Sequence, residues 1–562
     1  MFRPRGSQLL RLIAALVLIT GTFGPAPVQA ATDRLPNLQM EPLDQFRTEN
    51  SGGQRRLRFR TIMTNHGTGP LEVHGHRDNL GQPHLVTRQR IFNDSGGSRD
   101  VPSRALMEYA RGDSHDHWHI QGVMLYQMWS DSGLTRRGTK VGFCFLDSVP
   151  RGATGDPVYR FSMCGDRGDR DNAMGLSVGW GDDYPASFAY QWIDISSLYP
   201  GDYTVQARAD EQNWYLESNE TDNCAWARVR VAETNGPLAV LASGQGACLS
   251  PPASTAKVDR QYGDDRYQTA STASEDAMPP GVPVAYVATG ANFPDALAAG
   301  AAAGRLGGPV ILVQQNFLPA LAITELERLN PGRIVVVGGP AVVSDYVLGL
   351  VNTFQTGGGT IRVYGADRYE TAARISQNAT PAPPVPTAYV ASGENWPDAL
   401  AAVPHAARAG GPVLLTGSNS VPQALRDELT RLQPGRIIIV GGPGAVSDAV
   451  AAELDAYDTG GGVLRLAGQD RYGTAAALSA FHYPSGAPAA YVATGENFPD
   501  ALAAGPVAAM RNAPTILVRR GFIPDPSISE LDRLNPRRIY LLGGPNVVSM
   551  EVEAGLSTLV VP

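Results

Sequence analysis

Three histidines alternate with other residues in one short stretch of the chain. They are His115, His117 and His119, at positions i, i+2 and i+4. On a β-strand these positions point to one face, whereas on a helix the three side chains would fan out too widely to meet one ion. Imidazole nitrogens favour zinc, copper, iron or nickel over magnesium or calcium, and three of them leave coordination positions open. The spacing therefore predicts a transition-metal site on a strand, without choosing the metal.

A lysine behind this cluster is a second candidate for chemistry. The chain has 46 basic residues, of which only Lys140 and Lys257 are lysines. A lysine amine can act as a nucleophile, whereas the guanidinium of arginine stays protonated and delocalised. Lys140 is therefore a candidate nucleophile, and the alternative is a solvated surface cation.

A polar stretch before Cys224 carries oxygen donors of the kind that calcium prefers. The alternative is a polar surface loop that contains an Asn-x-Thr sequon. The candidate ligands are Glu217, Asn219, Glu220, Asp222 and Asn223.

Length and composition indicate a multidomain globular protein. The chain has 562 residues, which predicts three or four domains, and its 43% hydrophobic and 18% charged content is ordinary for folded proteins. Its net charge of −8 would repel nucleic acid, so no nucleic-acid partner is expected.

The first thirty residues have the pattern of a secretory signal. Basic residues precede an apolar run from Leu12 to Thr20, and Val28-Gln29-Ala30 has small residues at a cleavage site. The run is shorter than the roughly 20 residues of a membrane span, so residues 1–30 are predicted to be removed and no transmembrane anchor is expected. Four cysteines in an exported chain predict two disulfides, with three possible pairings. They are Cys144, Cys164, Cys224 and Cys248.

The C-terminal half is a threefold repeat. Gly-x-Asp-Arg-Tyr occurs at 263–267, 365–369 and 468–472, and Asn-aromatic-Pro-Asp-Ala-Leu and Val-Gly-Gly-Pro blocks recur behind each copy. Within a unit, short β-branched runs alternate with Ala- and Leu-rich helical segments, which predicts parallel α/β sheets of Rossmann-like or flavodoxin-like type. The predicted organisation is a catalytic domain at 31–235, a linker at 236–257, and three units in a row at 258–355, 361–458 and 464–562.

These repeat blocks resemble the cell wall-binding repeat 2 family of surface proteins from Gram-positive bacteria. The resemblance implies non-covalent retention by an anionic wall polymer, in which three weak sites gain avidity together. Arg266, Arg368 and Arg471 are candidate polymer contacts, because a guanidinium fork matches anionic groups. The alternative is an Asp–Arg pair that caps the following helix.

Three further blocks accompany the histidine cluster. They are Lys140-Val-Gly-Phe-Cys144, Gln191-Trp-Ile-Asp194 and Glu217-Ser-Asn-Glu-Thr-Asp-Asn223. With the histidines they resemble the catalytic domain of lysyl oxidase over roughly residues 34–230. The fold expected for this part is all-β and sandwich-like.

This second resemblance implies a cofactor and an activity. It makes His115, His117 and His119 copper ligands, and it implies oxidation of primary amines, peptidyl lysine among them, with O₂ to aldehydes, ammonia and hydrogen peroxide. The expected location is the cell wall of a Gram-positive-type bacterium. The competing hypotheses are a wall protein that holds copper without turnover and an adhesin that only binds polymer.

The resemblance also implies a self-derived cofactor. Lys140 lies four residues before Cys144 and Tyr184 lies seven before Gln191, as in the family, which implies that Lys140 and Tyr184 cross-link into lysine tyrosylquinone. Tyr126 replaces a histidine of animal members. The catalytic base is not assigned.

Departures from the family pattern imply a disulfide pairing. Ser114 replaces a family half-cystine, and no cysteine follows Cys144 at short range. The implied pairs are Cys144 with Cys164 and Cys224 with Cys248.

Overall fold

The computed structural model describes most of the chain beyond residue 30. Residues 1–30, the predicted signal, lie outside the described residues. Within the described part, no helix combines the length and the apolar content that crossing a membrane requires. The described residues are 31–110, 116–133, 135–138, 142–380, 382–395, 397–497 and 499–561.

The N-terminal domain is built from short antiparallel strands and one 3₁₀ helix at Phe161–Cys164. Its strands are β1 (Asp33–Arg34), β2 (Leu38–Met40), β3 (Asp44–Ser51), β4 (Gln54–Asn65), β5 (Leu71–His76), β6 (His84–Asn93), β7 (Ser98–Ala110), β8 (His117–Gln121), β9 (Met124–Ser130), β10 (Thr135–Arg137), β11 (Gly142–Phe143), β12 (Val149–Pro150), β13 (Asp171–Leu176), β14 (Trp180–Tyr184), β15 (Trp192–Asp194), β16 (Gly201–Ala209), β17 (Cys224–Val231), β18 (Gly236–Pro237) and β19 (Ala239–Gly246).

These strands form three packed sheets. The orders are β11-β8-β7-β6-β5-β13, β10-β9-β16-β17-β19 and β12-β14-β4-β3-β18, with β1, β2 and β15 pairing at the sides. Alternation along β5 puts Leu71 and Val73 in the core and leaves Glu72 partly exposed, as a half-buried strand requires. The all-β prediction is confirmed.

Both disulfides have the pairing expected from the sequence. Cys144 pairs with Cys164, which ties the residue after β11 to the 3₁₀ helix. Cys224 pairs with Cys248, which ties the start of β17 to the chain beyond β19.

The predicted linker at 236–257 is wrong for most of its length. Gly236–Pro237 pairs with β3, and Ala239–Gly246 pairs along β17 as an edge strand of the domain. The alternation typical of an edge strand is weak here, because Val240 and Leu241 are exposed. The N-terminal domain therefore extends to the second disulfide.

Each repeat alternates strands and helices as predicted. Short 3₁₀ turns follow two of the helices at Asn352–Phe354 and Asp455–Tyr457. The strands are β20 (Val258–Gln261), β21 (Val284–Thr289), β22 (Val310–Val313), β23 (Arg333–Val337), β24 (Thr360–Val363), β25 (Ala388–Ser392), β26 (Val413–Thr416), β27 (Ile437–Val440), β28 (Leu464–Leu466), β29 (Ala489–Thr494), β30 (Thr515–Val518) and β31 (Arg538–Leu542). The helices are α1 (Arg266–Ala277), α2 (Pro294–Leu306), α3 (Ala320–Leu329), α4 (Asp345–Val351), α5 (Arg368–Ala379), α6 (Pro397–Ala409), α7 (Gln423–Leu432), α8 (Asp448–Leu454), α9 (Arg471–His482), α10 (Pro499–Met510), α11 (Asp525–Leu534) and α12 (Met550–Thr558).

The repeats exchange strands and close into a ring. Three parallel sheets have the orders β22-β21-β23-β24, β26-β25-β27-β28 and β30-β29-β31-β20. The first strand of each repeat thus completes the sheet of another, and in the third sheet β20 pairs with β31, Val258 lying opposite Ile539. Covering an open edge in this way protects unpaired backbone groups. Each sheet is parallel and three α/β units follow one another along the chain, as predicted, and the structure adds that each sheet takes one strand from a neighbouring unit.

The helices that begin at the Pro-Asp-Ala-Leu blocks meet at the centre of the ring. A Cβ atom added at Gly304 of α2 would lie 3.0 Å from the Ala407 Cβ of α6 and 3.1 Å from the Ala509 Cβ of α10. Small residues are therefore needed where the three helices approach, which accounts for the Ala- and Gly-rich composition of these segments.

Candidate functional site

The two described histidines of the cluster converge on one point. His117 and His119 lie on β8 and are 8% and 7% exposed. Their Nε2 atoms are 2.9 Å apart, so both nitrogens can face a shared ion. The strand geometry predicted from the i, i+2 spacing is present for these two residues, and His115 lies outside the described residues.

A row of polar side chains crosses the sheet next to the histidines. The strand register places Glu108 of β7 opposite His119 on one side and opposite His84 of β6 on the other. Residues that face each other in an antiparallel pair share a face of the sheet. Burial raises the pKa of Glu108 to about 7 and lowers the pKa of His84 to about 4. The histidine face therefore also carries a carboxyl group.

Tyr184 is buried at the end of β14. Its hydroxyl donates a hydrogen bond to the carbonyl oxygen of Cys144 at 3.0 Å, and its ring meets Phe143 edge-on with centroids 5.0 Å apart. Burial raises the pKa of Tyr184 well above its usual value, and the neighbouring Asp182 carboxylate raises it further. Lys140 lies outside the described residues, three positions before Phe143 in the sequence.

The Gln191 side chain has a structural role beside this tyrosine. Gln191 is fully buried, and its side-chain amide nitrogen, Nε2, donates a hydrogen bond to Thr61 Oγ1 at 3.0 Å. Tyr126, which the sequence places at the position of a family histidine, shares this network because its hydroxyl is 2.7 Å from Thr61 Oγ1. Burial raises the pKa of Tyr126, so its phenol stays protonated.

A second cluster of carboxylates lies in the loop between β16 and β17. One oxygen from each of Asp210, Glu217 and Glu220 lies within 4.8 Å of the others. Burial raises the pKa of Asp210 to about 7 and that of Glu217 to about 9, because the charged forms are poorly solvated. A cation bound here would relieve that cost.

The predicted calcium ligands are only partly brought together. Asn223 Nδ2 donates to Glu217 Oε1 at 3.0 Å, and Asp222 holds Asn37 and Gln39 through Oδ2. Asn219 instead caps its own loop, because its Oδ1 accepts hydrogen bonds from Thr221. Asp210, absent from the predicted set, enters the cluster through folding.

The three repeat arginines support the loops of the repeats. Each guanidinium donates to a carbonyl oxygen just after a central strand. The aspartates before them cap the following helices through their side chains, as Asp265 does for α1. The arginines are Arg266, Arg368 and Arg471, and their acceptors are Gly290, Gly393 and Gly495.

Comparison with known families identifies the N-terminal domain and the C-terminal repeats. A profile of the lysyl oxidase family matches residues 72–239. A profile of cell wall binding domain 2 (CWB2) matches three times, at residues 260–348, 362–451 and 465–553. The chain joins a lysyl oxidase domain to three cell wall binding repeats. The architecture expected from the sequence blocks is thereby confirmed.

Curated relatives match one part or the other. N-acetylmuramoyl-L-alanine amidase LytC of Bacillus subtilis is 27% identical over 307 residues, which cover 54% of this chain and 59% of the relative. The amidase enhancer of the same organism is 28% identical over 302 residues, covering 54% of this chain and 40% of the relative. Protein-lysine 6-oxidase of Rattus norvegicus is 29% identical over 145 residues, covering 25% and 33%. The chain therefore spans less than two thirds of the length of each of these relatives.

Solved structures share the fold. Cwp6 from Clostridium difficile has a TM-score of 0.51 at 15% identity, covering 94% of this chain and 68% of that one. Cwp8 from Clostridium difficile has a TM-score of 0.51 at 17% identity, covering 93% of each chain. At such low identity the likeness concerns architecture alone.

Sequence reasoning missed several residues of the lysyl oxidase domain. They are Glu108, which strand pairing brings opposite His119, and Asp182, which lies beside Tyr184 on β14. A signal existed for Asp182, which lies two residues before Tyr184 and so shares its face of β14. No local pattern marks Glu108, because its place opposite His119 depends on the register of two strands.

Proposed function

We propose that the chain is a cell-wall-held, copper- and quinone-dependent amine oxidase of the lysyl oxidase type. Its substrates would be primary amines, with peptidyl lysine among them, and its products an aldehyde, ammonia and hydrogen peroxide. The observation that carries the proposal is the convergence of His117 and His119 within 2.9 Å on a strand inside the lysyl oxidase match. The protein-lysine 6-oxidases that match this domain favour the same activity.

Copper would be held by His115, His117 and His119. The two described histidines fit this role, since both present Nε2 to one point and neutral imidazole suits copper. Copper supplies the one-electron and oxygen chemistry when bound. The protein side of the site holds these imidazoles in place by burial and by pairing of β8 with β7 and β11.

Lys140 and Tyr184 would supply the organic cofactor. The quinone provides an electrophilic carbonyl for a primary amine. The chain keeps the Tyr184 ring in a dry pocket against Phe143, and Asp182 places a carboxylate beside the phenol. We propose that Asp182 accepts the phenolic proton when Tyr184 is oxidised.

The repeats would hold the enzyme on the wall. Three sites on one chain gain avidity without any new contact, and an anionic wall polymer would suit the guanidinium groups of Arg266, Arg368 and Arg471. The amidase and the amidase enhancer that match the repeats support a cell-wall location. Secretion follows from the proposed signal at residues 1–30.

The enzymatic proposal is tested on the full chain produced by secretion with copper. We expect a phenylhydrazine adduct, and peptide mass spectrometry should recover Lys140 and Tyr184 in one cross-linked species. Unlinked peptides together with a normal copper content would leave a wall protein that binds copper without turnover. Unlinked peptides with no copper would leave an adhesin.

Wall attachment is measured separately on the same protein. The full chain should sediment with purified cell walls and should stay in solution with walls from which anionic polymers have been extracted. Equal sedimentation with both wall preparations would contradict polymer recognition and leave the oxidase proposal untouched.

We further propose that Asp210, Glu217 and Glu220 bind calcium, with Asp222 and Asn223 beside them. Oxygens with no hydrogen-bond partner in the described part include Glu220 Oε2, Asp222 Oδ1 and Asn223 Oδ1. Buried oxygen donors left in this state fit a hard cation.

Calcium should therefore raise the unfolding temperature of the lysyl oxidase domain. A ligand present at 100 times its Kd stabilises the folded state by about 2.7 kcal/mol. Glu217→Gln should abolish the calcium response, whereas Asp131→Asn, at an exposed ion pair with Arg228, should retain it. Calorimetric scans with calcium and with a chelator make the comparison, and an unchanged response in Glu217→Gln would refute the site.

A further inference from the structure

The three repeats form three corresponding clefts where one repeat meets the next around the ring. Each cleft joins the Gly-Gly-Pro turn of one repeat to the Asp-Arg-Tyr block of its neighbour. The backbone is built alike in all three, because an arginine on the strand before each block donates to the carbonyl oxygen of the first glycine of the turn. Differences between the clefts therefore come from their other side chains. The arginines are Arg260, Arg362 and Arg465, and their acceptors are Gly543, Gly338 and Gly441.

The oxidase domain borders one of these clefts, the third–first cleft between the third and first repeats. Its walls combine Arg266 of the first repeat and Asp500 of the third with two residues of the oxidase domain, Gln54 and Asp194, around a cavity of about 220 Å³. Because a folded domain forms one wall here, less room is left for a polymer chain than in a cleft between repeats alone.

An aromatic position distinguishes the clefts further. In the first–second cleft, Tyr364 lies on the turn, since a Cβ atom added at Gly339 would be 3.1 Å from its ring, and the side chain is 43% exposed. Tyr262 holds this position in the third–first cleft, but the guanidinium of Arg136 lies 5.0 Å from its ring centroid and covers one face. Ala467 holds it in the second–third cleft. Of these three positions, Tyr364 alone presents an exposed aromatic ring.

The acidic groups differ between the clefts as well. The third–first cleft contains two carboxylates in addition to those of the repeated blocks, Asp194 of the oxidase domain and Asp264 of the first repeat. Ala366 holds the position of Asp264 in the first–second cleft. Glu370, near that cleft, is paired with Arg374 at 2.6 Å. An anionic polymer therefore meets less uncompensated negative charge in the first–second cleft.

The groups in the first–second cleft suit a sugar ring that belongs to an anionic polymer. The face of a tyrosine ring is apolar and carries partial negative charge, which matches the C–H face of a pyranose. Arg368 begins α5 four residues after Tyr364. Among the described residues only its Nη1 has a hydrogen-bond acceptor, the carbonyl oxygen of Gly393. The guanidinium can therefore also pair with a phosphate or carboxylate of the polymer.

We propose that the first–second cleft is the principal polymer site of the wall anchor and that Tyr364 is its stacking platform. A sugar residue packs on the Tyr364 ring while Arg368 pairs with the anionic group next to it. This inference rests on the proposed wall attachment and ranks the three clefts, with one strong site and two weaker ones.

The repeats themselves supply the matched variants. Tyr364→Ala installs the residue that the third repeat carries at 467, whereas Tyr364→Phe keeps the ring. Ala467→Tyr builds the platform in the second–third cleft, where a Cβ atom added at Gly442 would meet no described atom within 4 Å. Phe481→Ala is the control, because this ring is 48% exposed but lies ten residues, or about 15 Å, along α9 from the cleft.

The test titrates full-length variants with purified cell walls that retain their anionic polymers and measures the sedimented fraction. We expect Tyr364→Ala to raise the half-saturating wall concentration about tenfold, which corresponds to about 1.4 kcal/mol of binding, while Tyr364→Phe and Phe481→Ala bind as the parent does. Adding Ala467→Tyr to Tyr364→Ala should restore most of the binding, which a purely structural role of Tyr364 would not allow. Unfolding temperatures close to the parent's establish that each variant is folded.

The arginines give a second comparison. Arg368→Gln should weaken binding more than Arg266→Gln, although each variant loses the same hydrogen bond to a glycine carbonyl. Equal weakening by these two variants, parent-level binding by Tyr364→Ala, or no recovery with Ala467→Tyr would overturn the inference and leave wall attachment in place. A parent that fails to sediment with these walls would overturn wall attachment itself, so the parent alone tells the two failures apart.

Discussion

Tyr184→Phe should abolish amine oxidation while leaving the fold intact. Phenylalanine has no phenolic oxygen, so the ring cannot become a quinone and no carbonyl is available to the amine. We expect kcat to fall by at least about three orders of magnitude, since the covalent route is lost altogether. The phenylhydrazine adduct should disappear with it, and Lys140 should be recovered as an unmodified peptide.

Tyr203→Phe is the matched control. The Tyr203 hydroxyl donates to the carbonyl oxygen of Tyr199 at 2.7 Å, and the ring is buried in the same domain. Each variant therefore removes one hydrogen bond from a tyrosine hydroxyl to a backbone carbonyl, buried for Tyr184 and partly buried for Tyr203, at a cost of about 1 kcal/mol. Quinone content and kcat should be normal in the control. Residual quinone in Tyr184→Phe would mean that another tyrosine supplies the ring.

The difference between these two tyrosines shows what the sequence could and could not predict. A motif at fixed spacing identified Tyr184, because Gln191 lies only seven positions further along the chain. Its surroundings come from distant segments: β14 pairs with β4, and its hydroxyl bonds a residue forty positions earlier. Local spacing predicts which side chain is the candidate for oxidation, whereas long-range pairing determines how deeply that side chain is buried and which charged groups surround it.

The histidine cluster shows the same division. Alternation predicted that His117 and His119 share a face, because that property belongs to a single strand. Their neighbour Glu108 could not be predicted, since a register shift of one residue would turn its side chain to the other face. The strand exchange among the repeats was also hidden, because β20 reads as a strand of the first repeat and its partner is in the third.

Two histidines outside the lysyl oxidase domain stack between the second and third repeats, of which His405 is buried and His482 is half-buried. His405 of α6 and His482 of α9 stack with ring centroids 4.6 Å apart and an interplanar angle of 14°. Both ring nitrogens of His405 have no hydrogen-bond partner among the described residues, whereas His482 Nε2 lies 2.8 Å from the Tyr389 hydroxyl. Arg408 adds a positive charge next to the pair, with its guanidinium over the ring of Tyr483.

This environment should make the ring of repeats sensitive to acid. Burial lowers the pKa of His405 well below its usual value, and His482 and Arg408 lower it further. Burial, with Arg408, lowers the pKa of His482 to about 4. As pH falls through about 6.5, the unfolded chain therefore binds protons before the folded chain does. The contribution of the two neutral histidines to the free energy of unfolding is complete above that pH and is lost below it. His405 alone contributes a slope of about 1.4 kcal/mol per pH unit in that range.

The other repeats supply substitutions that remove this sensitivity. Val507 occupies the position of His405 in the third repeat, and Ala379 occupies that of His482 in the second. At pH 7.5 the double variant His405→Val, His482→Ala should unfold within about 1 kcal/mol of the parent, because it removes the two unpaired nitrogens of His405 but also the hydrogen bond between His482 Nε2 and the Tyr389 hydroxyl. It should become progressively more stable than the parent between pH 6.5 and 4.5 in urea unfolding.

The difference in free energy of unfolding between parent and double variant reports on the histidine pair alone, since buried carboxyls elsewhere are the same in both chains. A parent-to-variant difference that stays constant from pH 7.5 to 4.5 would mean that the pair does not couple protonation to unfolding. A growing difference would make the contact between the second and third repeats the acid-labile element of the wall anchor, because both helices that carry the pair belong to that contact.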